Sequence, residues 1–249
     1  MISADVAFRQ CSNAAYVAVQ HAPAYLTYRS TVHVSVPALK RDREVIRSVA
    51  LRTADDVAIL HDLPRGREQV AHGFPLPASF DALSDFEITG YGGAHTSLEA
   101  HVVYSHPLYF PPPSPSEAHV DVIVVRLQGY HVHYVGDPQA NPIHLELEPL
   151  PGLMKRRTDL AFKDVFIDPS TFLPTRVTFV GADDRYFQVD YATIEGKWLV
   201  NHVVYAETYY LPIRIAHVHA TIDATFDQWH FYALPPDKRL QPAPAPVQS

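Results

Sequence analysis

From Asp168 to Tyr210 apolar and polar residues alternate through three successive runs, with a turn signal between each. A period of two sends alternate side chains to opposite faces of a strand, so the segment must fold as pleated sheet with one face buried and one wet. In "TRVTFVG" Thr175, Val177 and Phe179 share a face opposite Arg176 and Thr178; in "RYFQVDY" Phe187, Val189 and Tyr191 oppose Tyr186, Gln188 and Asp190. Between the two runs, "GADD" reads as a tight turn in which Gly181 relieves the backbone and Asp183 or Asp184 bonds its own amides. Asp168, Pro169 and Ser170 make a similar turn, and Pro174 stands where a strand can begin without donating a hydrogen bond.

The same period recurs along the chain. In "YLTYRSTVHVSV" Leu26, Tyr28, Val32, Val34 and Val36 share one face, and "PALKRDRE" follows as a charged hairpin tip. Further strands are expected in "EVIRSVALRT", "DVAILHDL", "AHVDVIVVRL", "GYHVHYVG", "IHLELEPL", "LAFKDVFID", "IRIAHVHATIDATF" and "WHFYAL", with Gly129 at a turn. Ala4 to Val19 follows another period. There Ala4, Ala7, Phe8, Cys11, Ala14, Ala15, Ala18 and Val19 follow helical spacing, Ser3 can cap the start, and His21 to Pro23 ends the run. The expected fold class is therefore α+β: an N-terminal helix on a large curved antiparallel sheet of about ten or eleven strands.

Two stretches fit neither period. Residues 72–118 hold Pro75, Pro77, Pro107, Pro111, Pro112, Pro113 and Pro115 among Phe74, Phe80, Phe86, Tyr91, Tyr104, Tyr109 and Phe110. Prolines at that density interrupt ladders and helices, and so many aromatics do not suit a solvated linker, so the segment reads as a flap or as a structural loop. Residues 237–249 have no apolar period and read as a disordered tail, which leaves residues 1–236 as a single domain.

Composition narrows the function. With a formal net charge of −7 and no basic stripe across the strand runs, the chain lacks the electrostatic footprint of a nucleic-acid binder. Its single cysteine, Cys11, can form neither an internal disulfide nor a cysteine-based zinc site, and reads as a buried thiol. No apolar window reaches the length of a membrane span, and residues 1–20 lack the plan of a signal peptide.

Chemistry is sparse. Histidine is in excess, 15 residues, and the two "HVH" triplets place His131 with His133 and His217 with His219 on one strand face each. If those strands are neighbours and the faces agree, four imidazoles could hold a transition metal; otherwise they are surface or cross-strand histidines. There is no G-x-S-x-G, and Ser97 beside Glu99 and His101 is a local coincidence. "GYGG" lacks the lysine of a phosphate loop, and Asp55/Asp56 and Asp183/Asp184 sit in turns. The expectation is a protein that is not an enzyme and needs no cofactor.

One run of motifs is familiar. "HLELEPL", the basic "LMKRRTDL", "FKDVFID", "PSTFLPTRVTFVG", "RYFQVDY" and "EGKWLVNHVVY" together resemble the LolA/LolB-like lipoprotein-sorting (lipoprotein carrier) superfamily over about residues 149–210. The resemblance implies a half-open β-barrel whose apolar cavity, covered by a helix and a flap, holds acyl chains. It implies a periplasmic or otherwise extracytoplasmic place, a lipid or acylated protein as partner, and peripheral contact with a membrane. On that view Val177, Phe179, Phe187, Val189 and Tyr191 would line the ligand site, where each buried methylene is worth about 0.8 kcal/mol. The competing expectations are a metal-binding protein or metal-dependent enzyme using the HVH pairs, and a structural or protein-interaction module whose concave face is filled.

Overall fold

The computed structural model describes residues 2–21, 23–54, 57–71, 130–152, 160–181, 184–210 and 217–241. The expected flap at 72–118, the strand expected at "AHVDVIVVRL", and Ser97, Glu99, His101 and "GYGG" lie outside the described residues.

Helix α1 spans Ala4–Gln20. Ser3 opens it as expected: its carbonyl accepts from Ala7 N at 3.0 Å and its Oγ from Val6 N at 3.4 Å. The stripe Ala4, Ala7, Phe8, Cys11 and Ala15 is buried. Burial of that kind pushes the Cys11 thiol far above its ordinary pKa, which makes it a core residue rather than a nucleophile.

Eleven strands form one antiparallel sheet: β1 (Tyr25–Val36), β2 (Arg41–Arg52), β3 (Val57–Asp62), β4 (Arg67–Ala71), β5 (Tyr130–Tyr134), β6 (Ile143–Pro149), β7 (Leu160–Ile167), β8 (Pro174–Gly181), β9 (Tyr186–Ile194), β10 (Lys197–Tyr210) and β11 (His217–Tyr232). Their spatial order is β4-β3-β2-β1-β11-β10-β9-β8-β7-β6-β5. Among the described residues the chain thus runs as two meanders joined by the pairing of β1 with β11, with β4 and β5 as the outermost strands of an open order. One face carries the main core together with α1, giving the helix-on-curved-sheet architecture of a half-open barrel.

Several local readings change. The hairpin between β1 and β2 is made by Pro37–Lys40 alone, with Lys40 left-handed at φ 50°, so the charged residues after it already belong to β2. Pairing with β1 along twelve partner positions outweighs the poor strand propensity of those charges. In the β8–β9 turn the left-handed residue is Asp184, φ 57°, while Gly181 stays in the strand with its N–H bonded to Arg185 O at 2.9 Å. Aspartate tolerates that region, so the turn needs no glycine. From His217 onward the two runs expected in "IRIAHVHATIDATF" and "WHFYAL" form the single long β11, residues 213–216 lying outside the described residues, and β4, which was not anticipated, pairs with β3. The tail is ordered through Gln241: Lys238–Leu240 form a 3-10 turn and Leu240 is fully buried, because one large apolar side chain suffices to dock a segment with no period at all.

Candidate functional site

Residues that face each other across antiparallel strands share a face. Phe162 on β7 pairs with Phe179 on β8, Phe179 with Phe187 on β9, and Phe187 with Tyr205 on β10. Their rings follow one another at 4.6, 5.7 and 6.5 Å, and Tyr130 on β5 extends the row, 6.0 Å from Phe162. Beside it runs an aliphatic row, Leu145, Val165, Val177, Val189, Val203, Ala224, Val32 and Val45, one residue from each of eight strands from β6 to β2. A third step is aromatic again. Tyr191 stacks on Trp198 at 4.4 Å, and the indole donates to Pro174 O at 2.9 Å.

All five residues singled out in the sequence therefore meet on one face. Val177, Phe179, Phe187, Val189 and Tyr191 are at most 8% exposed, so the alternation was read in the correct register. They do not face open water. Helix α1 packs chiefly against β5 and β10, Phe8 sets its ring edge-on to Phe162 at 5.9 Å, and the Tyr134 hydroxyl donates to Ile2 O at 3.2 Å. At the far end Lys197 Nζ donates to His21 O at 3.2 Å. The helix thus spans the floor from one edge strand towards the middle of the sheet. Phe162, Tyr205 and Tyr130 belong to the same floor, and only the strand pairing reveals them, since each lies in a different run.

The opposite face is a polar lattice. His144 Nε2 lies 2.8 Å from Asp164 Oδ1, and the Thr178 hydroxyl donates to Asp164 at 2.9 Å, which buries Thr178 although its alternation is that of the wet side. Asp190 accepts from Arg176 and Gln188 and lies 3.0 Å from His202 Nδ1, whose other ring nitrogen is 3.1 Å from Asp223. Burial pulls the Asp190 carboxyl upward, but the bonds from Arg176, His202 and Gln188 and the Arg176 charge outweigh it and hold the group below the usual carboxylate range. A carboxylate so held stabilises the fold above its unfolded-chain pKa of about 3.9, and the contribution is lost as pH falls through the lower folded value. Urea midpoints between pH 6 and pH 2.5 should therefore fall below about pH 4. Asp190→Asn should be less stable at neutral pH and show a shallower fall.

The histidine triplets do not converge. His131 and His133 lie on β5 and His217 and His219 on β11, with five strands between them, about 29 Å along the sheet at the usual strand spacing. His133 Nε2 is instead 3.0 Å from Glu146, which also binds Lys163, and His219 Nδ1 is 3.4 Å from the Thr208 hydroxyl. Among the described residues no group of three histidine, cysteine or carboxylate side chains is placed to hold a metal ion. No described helix is long and apolar enough to cross a membrane.

No protein-family model matches the chain, and no curated protein matches it. Solved structures with a similar arrangement include a DUF1329 family protein from Desulfovibrio piger, 8% identical, covering 93% of this chain and 94% of that one with a TM-score of 0.40. A domain assigned to outer membrane lipoprotein sorting from Vibrio parahaemolyticus is 8% identical over 91% of this chain and 90% of its own, TM-score 0.34. A chain of the MucA/MucB complex of Pseudomonas aeruginosa is 10% identical over 90% and 94%, TM-score 0.27.

Proposed function

We propose that the chain is a non-catalytic binding protein, working outside the cytoplasm, that holds the acyl chain of a lipid or acylated protein against the concave face of its open sheet. The observation that carries the reading is the unbroken aliphatic row from β6 to β2 with the aromatic row and the Tyr191–Trp198 step beside it, which together include Val177, Phe179, Phe187, Val189 and Tyr191. Among the described residues the helix packs chiefly on β5 and β10, while the aliphatic row continues to β2. Tyr134 bonds to Ile2 and Lys197 to His21 at the helix ends, while Ala4, Ala7, Cys11 and Ala15 present small side chains to the core, and a chain would enter between helix and floor by a shift of this helix. A filled-core module that docks a protein is the second reading, and the burial of the same five residues favours it.

One titration separates them. Trp198 stacks on Tyr191 and Trp229 on Tyr28, both on the apolar face. A fatty acid brominated along its chain quenches tryptophan only in contact. Saturable quenching, reversed by the unbrominated acid, is the expected result. Absence of quenching by a panel of brominated acids and phospholipids, with far-UV circular dichroism unchanged, would overturn the acyl reading in favour of the filled core.

A further inference from the structure

Three strands carry an extra residue towards the end of the sheet where α1 finishes. On β8 it is Thr175, between Arg176, which pairs with Phe166, and Pro174, which pairs with Ile167. On β10 it is Asn201, between Val200 and His202, whose partners Tyr191 and Asp190 are consecutive, and on β11 Gln228 and Trp229 together stand against Tyr28. An extra residue shifts the alternation by one position, so apolar residues on both sides of it reach the same face. Val200 and Val203 are therefore both buried on the core side, and so are Phe226 and Trp229.

The two tryptophans of the chain close these breaks. Trp198 stacks on Tyr191 at 4.4 Å and donates to Pro174 O, next to Thr175, at 2.9 Å; Trp229 stacks on Tyr28 at 4.7 Å and donates to Phe226 O, two residues before Gln228, at 3.1 Å. All four rings are at most 8% exposed. The β7–β8 turn adds Phe172 and Leu173, which pack on the same core. Asp168 holds that turn: its carboxylate accepts from Ser170 N at 2.8 Å and from the Thr171 hydroxyl at 3.0 Å, and its backbone carbonyl from Phe172 N at 2.8 Å. Phe172 is left-handed, φ 59°, a conformation unfavourable to a bulky side chain, yet the turn keeps an aromatic residue there. Among the described residues the buried charged side chains, Arg47, Asp62 and Arg185, all stand farther from this end than the tryptophans.

We propose that this capped end is the blind end of the acyl site. The chain lies along β8 and β9, passing Phe187, Val189 and Tyr191 in turn, with its terminal methyl against the two tryptophan stacks and its head group towards the opposite end of the strands. The orientation follows from desolvation. A charged head at the cap would leave water with no ionic partner, whereas a methyl group there only gains contacts. The proposal rests on the acyl reading and adds the direction of the chain.

The test uses the intact protein and octadecanoic acid brominated near the carboxyl, at mid-chain or near the terminal methyl. Tryptophan quenching at saturation should rise severalfold from the first probe to the last. Trp198→Phe and Trp229→Phe keep a ring in each stack and should each preserve that order with the remaining indole; the order itself is read on the unaltered protein, so it does not depend on how a variant folds. Unbrominated saturated acids should bind about fourfold more tightly per added methylene up to a limiting length, and more weakly beyond it, because the end is closed. Strongest quenching by the probe brominated near the carboxyl, equal quenching by all three, or affinity that keeps rising with chain length would overturn the blind end while sustaining the acyl reading; no quenching by any probe would overturn both.

Discussion

Phe187→Ala should destabilise the protein by about 3–5 kcal/mol, the cost of removing a buried aromatic ring where the surroundings cannot close over the void. The ring is 1% exposed and central in its row, with Phe179 at 5.7 Å on one side and Tyr205 at 6.5 Å on the other. Strands β8 and β10 hold β9 by ladders on both sides, so neither neighbour can move in without breaking backbone pairs. A typical domain has only about 5–15 kcal/mol in total, so the urea midpoint should drop by a large fraction with the slope unchanged. Phe187→Leu, which keeps most of the volume, should cost under about 1.5 kcal/mol. A cost below about 1 kcal/mol for the alanine variant would mean that the ring borders open space rather than packed neighbours.

Period two made this row legible from sequence, and it did so for a physical reason. Phe187, Val189 and Tyr191 alternate with Gln188 and Asp190, one face must be dry, and the register follows without any knowledge of the partner strand. What alternation does not contain is the neighbour. That Phe162 stands beside Phe179, or that β11 closes onto β1 rather than an edge, depends on pairings between residues far apart in the chain. The same limit explains the histidines: each triplet is correctly placed on one strand face, and only the strand order keeps the two apart. Ser30 stands among Tyr28, Val32 and Val34 on the apolar side of β1, and its neighbours Arg47 and Asp62 come from β2 and β3, so the polar row of the three is contained in no single run. Turns were the least legible. Lys40 and Asp184 take left-handed conformations that their neighbours would have assigned to glycine, because local hydrogen bonds and the hairpin geometry, rather than propensity, decide those positions.

Leu240→Ala should lower stability by about 2–3 kcal/mol, the low end of the range for a buried leucine, because a docked terminal turn can also come away locally. The residue is fully buried on the outer side of the sheet, in a satellite core with Tyr25, Val57 and Ile59. It is aimed there by its own turn: Asp237 accepts from Arg239 N at 2.8 Å, and Arg52 Nη1 on β2 donates to Leu240 O at 2.6 Å. Arg239 adds ion pairs to Asp237 and to Glu68 on β4, but these are exposed and contribute little beside the leucine. The turn therefore covers β3 and ties β4 to residues 237–240, which gives β4 an anchor besides its ladder with β3. Thermal melts should fall by roughly 4–12 °C for the alanine variant in a domain of this size. Hydrogen exchange should speed up in β3 and β4 while β8 to β10 keep their protection. Uniform loss of protection across the sheet would show instead that the turn supports the whole cooperative unit, and an unchanged melt would show that Leu240 contributes nothing to the fold.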